Sequence, residues 1–214
     1  MVVTKIEQQK RDENKYNVFV EDRFVFSLIM QDILFFKLKE NCEISEETYT
    51  YIKDTVIYVK AQDKALKYLG YKKRTEKEII RKLREYEYDE EIIDRVLEFL
   101  KKYDYVNDLE YAQSYIRQVN RLNPKGAMGI GHKLRGLGVS DKNIEKALMN
   151  EEFEELDEVI KVLEKKIGDK RSVNLRENKK IQEFLLRRGF SYGIIKDGFS
   201  ELKIEIEKED VADW

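Results

Sequence analysis

A spacing of 51 residues, used twice, is the strongest constraint on how this chain folds. Ile79, Leu83, Tyr88, Ile93 and Leu97 return as Ile130, Leu134, Val139, Ile144 and Leu148, and again as Ile181, Leu185, Phe190, Ile195 and Phe199. All of these positions are apolar or aromatic in a chain that is only 42% hydrophobic. Upstream in each copy, Ala61, Ala112 and Leu163 also correspond, as do Ala65, Ile116 and Ile167. Self-similarity at such a period marks a stacked-repeat architecture, in which each copy is one supersecondary unit.

The same spacing places Asp89, Ser140 and Ser191 at one repeat position, and all three are good helix N-caps. Each is preceded by a large apolar or aromatic residue (Tyr88, Val139, Phe190) and followed four residues later by isoleucine (Ile93, Ile144, Ile195). That pairing across a cap is a hydrophobic staple, which fixes the angle at which the chain starts its next helix. Thr75 with Glu78 reads as a capping box for the preceding helix of the first unit; Gly126 and Glu177 hold the corresponding positions in the others, Glu177 being the weaker start. The reading is three three-helix units near 61–103, 107–150 and 153–202. Each is too small to bury its own face well, so tandem stacking predicts an elongated, curved, mainly α body.

The ends differ. Residues 16–20 and 24–28 are β-rich runs around Glu21-Asp22-Arg23, which predicts a hairpin, with Val2 to Ile6 as a third strand. Ser45 is placed to cap a helix running from Glu46 to about Lys60, completing an N-terminal piece over 1–60. Residues 203–214 read as an acidic tail, and the lone proline, Pro124, agrees with helix over most of the length.

Chemistry is poorly signalled. Cys42 is the only cysteine, so no internal disulfide or cysteine metal cluster is expected. His132 is the only histidine and has no nucleophile at recognisable spacing. The acids show no metal-loop pattern. The glycines from Gly126 to Gly131 mimic a phosphate-binding loop, but His132-Lys133-Leu134 follows where Lys then Ser or Thr is needed. No catalytic, metal or cofactor residue is assigned. No apolar run approaches ~18 residues and the start lacks a signal-peptide core, so a cytoplasmic protein with no membrane partner is expected.

Ala65-Leu66-Lys67-Tyr68-Leu69, then Arg74 to Glu78 and Lys82-Leu83, resemble the first-repeat signature of the RecX family. The second repeat matches more closely through Asp108, Tyr111-Ala112, Tyr115-Ile116, Lys125-Gly126, Leu134-Arg135 and Gly138-Val139. Lys5-Ile6-Glu7 and Tyr16-Asn17-Val18 are similar to the N-terminal extension of clostridial-type members. The resemblance implies a tandem-repeat protein without known catalytic activity, which lodges in the groove of RecA filaments on DNA and restrains strand exchange and ATP hydrolysis; a groove-spanning geometry predicts an elongated monomer, and no cofactor is expected. Ala127-Met128-Gly129 stands where basic residues are common, and Gly129 and Gly131 weaken that helix, which implies a reduced DNA contact there.

Charge is zoned although the net charge is only −2. Residues 110–147 carry seven Lys or Arg against three acids, and 165–188 carry nine against three. Residues 151–158 hold six acids, and 201–214 six against two lysines. Such alternation suits a protein that meets both phosphates and a protein surface. Arg117 and Arg121, at i and i+4, project from one helix face with Lys125, Lys133 and Arg135 just beyond; Arg74, Lys77 and Arg81 read as a second face. These eight are the candidate contacts to single- or double-stranded DNA phosphate or to acidic RecA patches. Tyr103, Tyr105, Tyr111 and Tyr115 are read mainly as packing, with base stacking as the alternative. Two competing readings are a stand-alone DNA-binding repeat module and a helical scaffold for another protein.

Overall fold

Alternation of apolar and polar residues in the N-terminal segment produces an antiparallel sheet. In the computed structural model, which describes residues 1–10 and 12–207, the strands are β1 (Val2–Gln8), β2 (Lys15–Val20) and β3 (Arg23–Ile29). Helix α1 (Met30–Phe35) follows, and then the two-residue β4 (Cys42–Glu43). The order is β3-β2-β1-β4, so β1 is the third strand that the sequence calls for. Helix α1 and β4 are additions, and Cys42 pairs with Val3 at the sheet edge. The hairpin turns through Glu21 and Asp22, both at positive φ, as a two-residue turn matching strand twist requires. Val3 is buried in β1, and Val18 with Val20 and Phe26 with Leu28 are buried at every second residue of β2 and β3.

Ser45 caps the next helix by accepting from the Thr48 N–H at 3.1 Å. The chain then stays helical through α2 (Glu46–Tyr51), a π-helical segment (Ile52–Ile57) and α3 (Tyr58–Tyr71). A wider turn has a purpose here. Ile52 and Ile57, five residues apart, are both buried, whereas an α-helix would rotate them well apart; the π segment brings them into line with Ala61 and Ala65. Helices α4 (Glu76–Glu85) and α5 (Glu90–Lys102) complete the first repeat. These elements form one unit, Met1–Val106, around a single core shared by sheet and helices.

The second unit begins at Asn107. It holds α6 (Asp108–Leu122), α7 (Ala127–Gly136) and α8 (Asp141–Asn150) of the second repeat. The third repeat supplies α9 (Glu155–Ile167), α10 (Leu175–Arg187) and α11 (Tyr192–Glu201). Strands β5 (Ser172–Asn174) and β6 (Glu205–Glu207) pair in parallel, Val173 opposite Ile206. Part of the expected acidic tail is therefore a strand, because backbone pairing to β5 outweighs the poor strand preference of glutamate; residues 208–214 of that tail lie outside the described residues.

All three repeats turn from second to third helix in the same way. Glu87, Gly138 and Gly189, again 51 apart, adopt positive φ. The next residue's N–H reaches back to close the helix just ended: Tyr88 to the Leu83 carbonyl at 3.3 Å, Val139 to Leu134 at 3.0 Å, Phe190 to Leu185 at 3.2 Å. Asp89, Ser140 and Ser191 then accept from the N–H groups of Ile92, Asn143 and Ile194 and start the next helix. One apolar side chain thus seals the Schellman end of one helix and staples the beginning of the next. Of the fifteen matched side chains all are buried except Tyr88, Leu148 and Ile181, which are half-buried against the core of their own repeat. Burial pushes the Tyr88 phenol up to about 12.

The start of α10 departs from the sequence reading. Its cap is Asn174, whose side chain accepts from the Glu177 N–H at 2.8 Å, and Glu177 is the third helical residue of a capping box rather than the cap. Asparagine's short amide reaches the exposed N–H groups, so the helix begins a turn before the repeat spacing indicates.

Glycines govern the joint between the second and third repeats. A Cβ on Gly126 would lie 2.2 Å from the Gly189 carbonyl oxygen, one on Gly129 2.4 Å from the Arg188 oxygen, and one on Gly189 2.1 Å from the Gly129 nitrogen. The start of α7 therefore lies directly on the backbone of the α10–α11 turn, with the Gly126 N–H donating to the Arg188 carbonyl at 3.2 Å. Gly126 has no side chain to cap α7, and Glu155 of α9 does so instead, accepting from the Ala127 N–H at 3.1 Å. Close backbone contact is the reason for glycine at 126 and 129, even though glycine lowers helix propensity.

Gly189→Ala, strained by its positive φ and by overlap with Gly129, is expected to cost at least ~2 kcal/mol in denaturant unfolding. Gly136→Ala, in a helix with open space at its Cβ, is expected to be neutral or to gain up to ~1 kcal/mol. Glu155 adds a pH signature, because burial raises its carboxyl above the ordinary range while the Ala127 N–H opposes the shift. The folded chain holds that proton to higher pH than the unfolded chain, so this contribution to stability falls as pH rises through the titration. Unfolding profiles from acid to neutral pH should flatten in Glu155→Gln, which keeps an acceptor, whereas Glu155→Ala should lose about 1 kcal/mol.

Candidate nucleic-acid and protein interface

On α4, Lys77 and Arg81 point outward while Ile79 and Leu83 are buried, so the helical period exposes this pair. Arg74 does not join them. It precedes the extended cap residue Thr75 and so lies off the helix, turned inward. Its guanidinium lies 4.0 Å from the Tyr68 ring centroid and donates to the Glu78 carboxylate at 3.1 Å. Arg74 is a half-buried clamp on the capping box rather than part of an outer face.

Arg117 and Arg121 share the exposed side of α6, opposite Ala112, Ile116 and Val119. Arg117 is ion-paired with Glu151, just beyond α8, and donates to the Ser114 hydroxyl at 3.2 Å. Lys125 donates to the Tyr115 hydroxyl at 3.3 Å, and Arg135 pairs with Asp141 at 2.6 Å across the α7–α8 turn. Arg81 has Glu85 at 3.9 Å. Lys77, Arg121 and Lys133 are exposed and make no ion pair among the described residues. The eight candidates therefore divide into cations already answered by neighbours and three whose charge faces solvent.

The aromatic cluster divides as well. Tyr111 and Tyr115 pack against the second-repeat core. Tyr103 and Tyr105 are about half exposed and flank Phe99, with ring centroids 4.9 and 6.1 Å away.

A basic cleft that none of the eight residues lines lies between the second and third repeats. Leu122, Asn123 and Pro124, at the end of α6, face Lys161, Lys165 and Lys166 of α9 and Phe184 and Arg188 at the end of α10. The Phe184 ring carries Lys166 at 4.2 Å and Arg188 at 4.5 Å from its centroid, and Arg188 donates to the Pro124 carbonyl at 3.1 Å. Sequence counting detects the excess of cations over 165–188, but not which of them converge. Among the described residues no group of three or more His, Cys, Asp or Glu is placed to hold a metal ion, and no helix is long and apolar enough to cross a membrane.

Four family models match the chain in order. Residues 1–45 match the regulatory protein RecX N-terminal domain, and 61–100, 107–148 and 153–197 match the first, second and third three-helix domains of RecX. The regulatory protein RecX of Clostridioides difficile (strain 630) is 35% identical over 205 residues, covering 94% of this chain and 95% of its own length. That of Clostridium acetobutylicum is 34% identical over 209 residues, covering 93% and 97%. A crystal structure of regulatory protein RecX superposes with a TM-score of 0.60 at 28% identity, covering 92% of this chain and 98% of that one. RecX from Lactobacillus salivarius also gives 0.60, at 32% identity over 68% of this chain and 96% of its own. With an N-terminal sheet followed by three triplets built on one turn, and relatives matched over nearly their full lengths, the chain belongs to the RecX family of regulatory proteins.

Proposed function

We propose that this protein binds RecA filaments and restrains their ATP hydrolysis and strand exchange, acting by occupancy of the filament groove rather than by catalysis. Membership of a regulatory family supports the reading. The observation that carries it is the threefold recurrence of one turn-locked helical triplet, with cations on the outer faces of α4 and α6. A filament repeats along its axis, and a tandem array can meet successive subunits with related surfaces. The working divisions on this reading are the N-terminal piece 1–60, the units 61–103, 107–150 and 153–202, and residues 203–214. It is a monomer acting in the cytoplasm, in recombinational DNA repair and the SOS response. Lys77, Arg81, Arg121 and Lys133 are the first candidates for direct contact, because their charge is least answered within the chain. Arg117, Lys125 and Arg135 would exchange an internal partner for an external one, and Arg74 would support from within.

The deciding experiment is RecA ATPase and strand exchange on single-stranded DNA across a wide range of added protein. Wild type is expected to lower both, and rates that stay unchanged would overturn the proposal. Arg117→Ala with Arg121→Ala is expected to need several-fold more protein for the same restraint; full potency would remove α6 from the contact surface.

A further inference from the structure

We infer that the cleft between the second and third repeats is a binding track for the sugar–phosphate backbone of single-stranded nucleic acid. The inference deepens the proposed regulatory role and rests on it for its setting, although the binding itself needs no RecA. Three observations carry it. First, the cleft has an apolar wall and a cationic rim: Leu122, 62% exposed, with Val162 and Phe184 on one hand, and Lys161, Lys165, Lys166 and Arg188 on the other. Secondly, a smaller cleft shares Lys166 and continues along α9 and α10 to Lys180, with Ile167, Val173 and Ile181 as its wall; Lys170 there is paired with Glu177 at 2.9 Å, so Lys166 and Lys180 carry its unanswered charge. The positive surface is thus a strip rather than a spot, which suits a polymer of phosphates better than a single small anion. Thirdly, Lys165 and Lys166 make no ion pair among the described residues, unlike Arg117 and Arg135.

The chemistry also indicates the mode of recognition. Lys161 and Lys165 are one helical turn apart, about 6 Å along the axis, so two ammonium groups stand in a row above the cleft. Glu158 pairs with Lys161 at 2.7 Å, so of this row Lys165 carries the unanswered charge, with Lys166 beside it. Both Lys166 and Arg188 already sit over Phe184, so its ring is not offered as a free stacking platform. Contacts are then to phosphates, with sugars or bases lying against Leu122 and the Asn123 amide, and sequence preference should be slight. The width of the cleft is held by the glycine joint and by the Arg188 bond to the Pro124 carbonyl, which seat α10 against the end of α6.

Fluorescein-labelled oligo(dT) of about 20 nucleotides, titrated by anisotropy at several salt concentrations without RecA, tests this inference. Wild type is expected to bind with affinity that falls steeply with salt. Lys165→Ala, Lys166→Ala and Lys180→Ala combined should weaken binding roughly tenfold and flatten the log–log salt slope by about 0.7 for each phosphate that is no longer neutralised. Circular dichroism melting confirms that these exposed replacements leave the fold intact, and Lys37→Ala with Lys39→Ala, exposed in the N-terminal unit and lining neither cleft, serves as the control that keeps wild-type affinity. Overturning results are no salt-dependent binding by wild type, or equal binding by the triple variant. A triple variant that binds oligo(dT) normally but no longer restrains RecA would also overturn it, by making the cleft a protein contact. If the lysines govern oligo(dT) binding while wild type leaves RecA untouched, the track stands and the regulatory proposal fails.

Discussion

Everything in the helical part of this protein depends on one short turn in which a single apolar residue serves two helices. Its N–H closes the end of the second helix, its side chain enters the core, and the residue after it caps the third helix. A separate linker would let the two helices pivot. Joining a Schellman end directly to a stapled cap leaves no free dihedral between them, so the crossing of the two helices is set locally. The left-handed residue at its centre is glycine in two copies and Glu87 in the first, where the strain of a side chain at positive φ is borne by an otherwise identical turn.

The same turn acquires a second task in the third repeat. There Gly189 lies against Gly129, and the backbone of the turn becomes the surface on which α7 begins. This explains the glycines that break the basic pattern of the second repeat. They are there for contact between backbones, and the positive charge withheld from α7 is found on α9 and α10 across the joint. Capping of α7 by Glu155 belongs to the same arrangement, since a glycine cap leaves N–H groups for the neighbouring repeat to satisfy.

Charge in this protein has two uses that look alike in a count. Arg117, Arg135 and Arg95 hold acids on adjacent elements, and Arg74 is committed to Tyr68 and Glu78. Lys165, Lys166, Lys77 and Arg121 face solvent. Exposed pairs contribute little to stability, but each pairing lowers the potential available to a phosphate, so the unanswered cations dominate long-range attraction.

The sequence by itself determined the repeats, the three caps that follow the turns, the capping box at Thr75 and the hairpin, because each is a local matter of a few consecutive residues. Periodicity likewise identified the buried side chains. Tertiary structure decided what depends on residues distant in the chain. It turned Arg74 inward, placed β6 beside β5, moved the start of α10 to Asn174, and drew Lys166 and Arg188 over Phe184 opposite Pro124. Spacing reports which side of a helix a residue occupies, whereas the neighbour that meets that side is fixed only when separate helices pack.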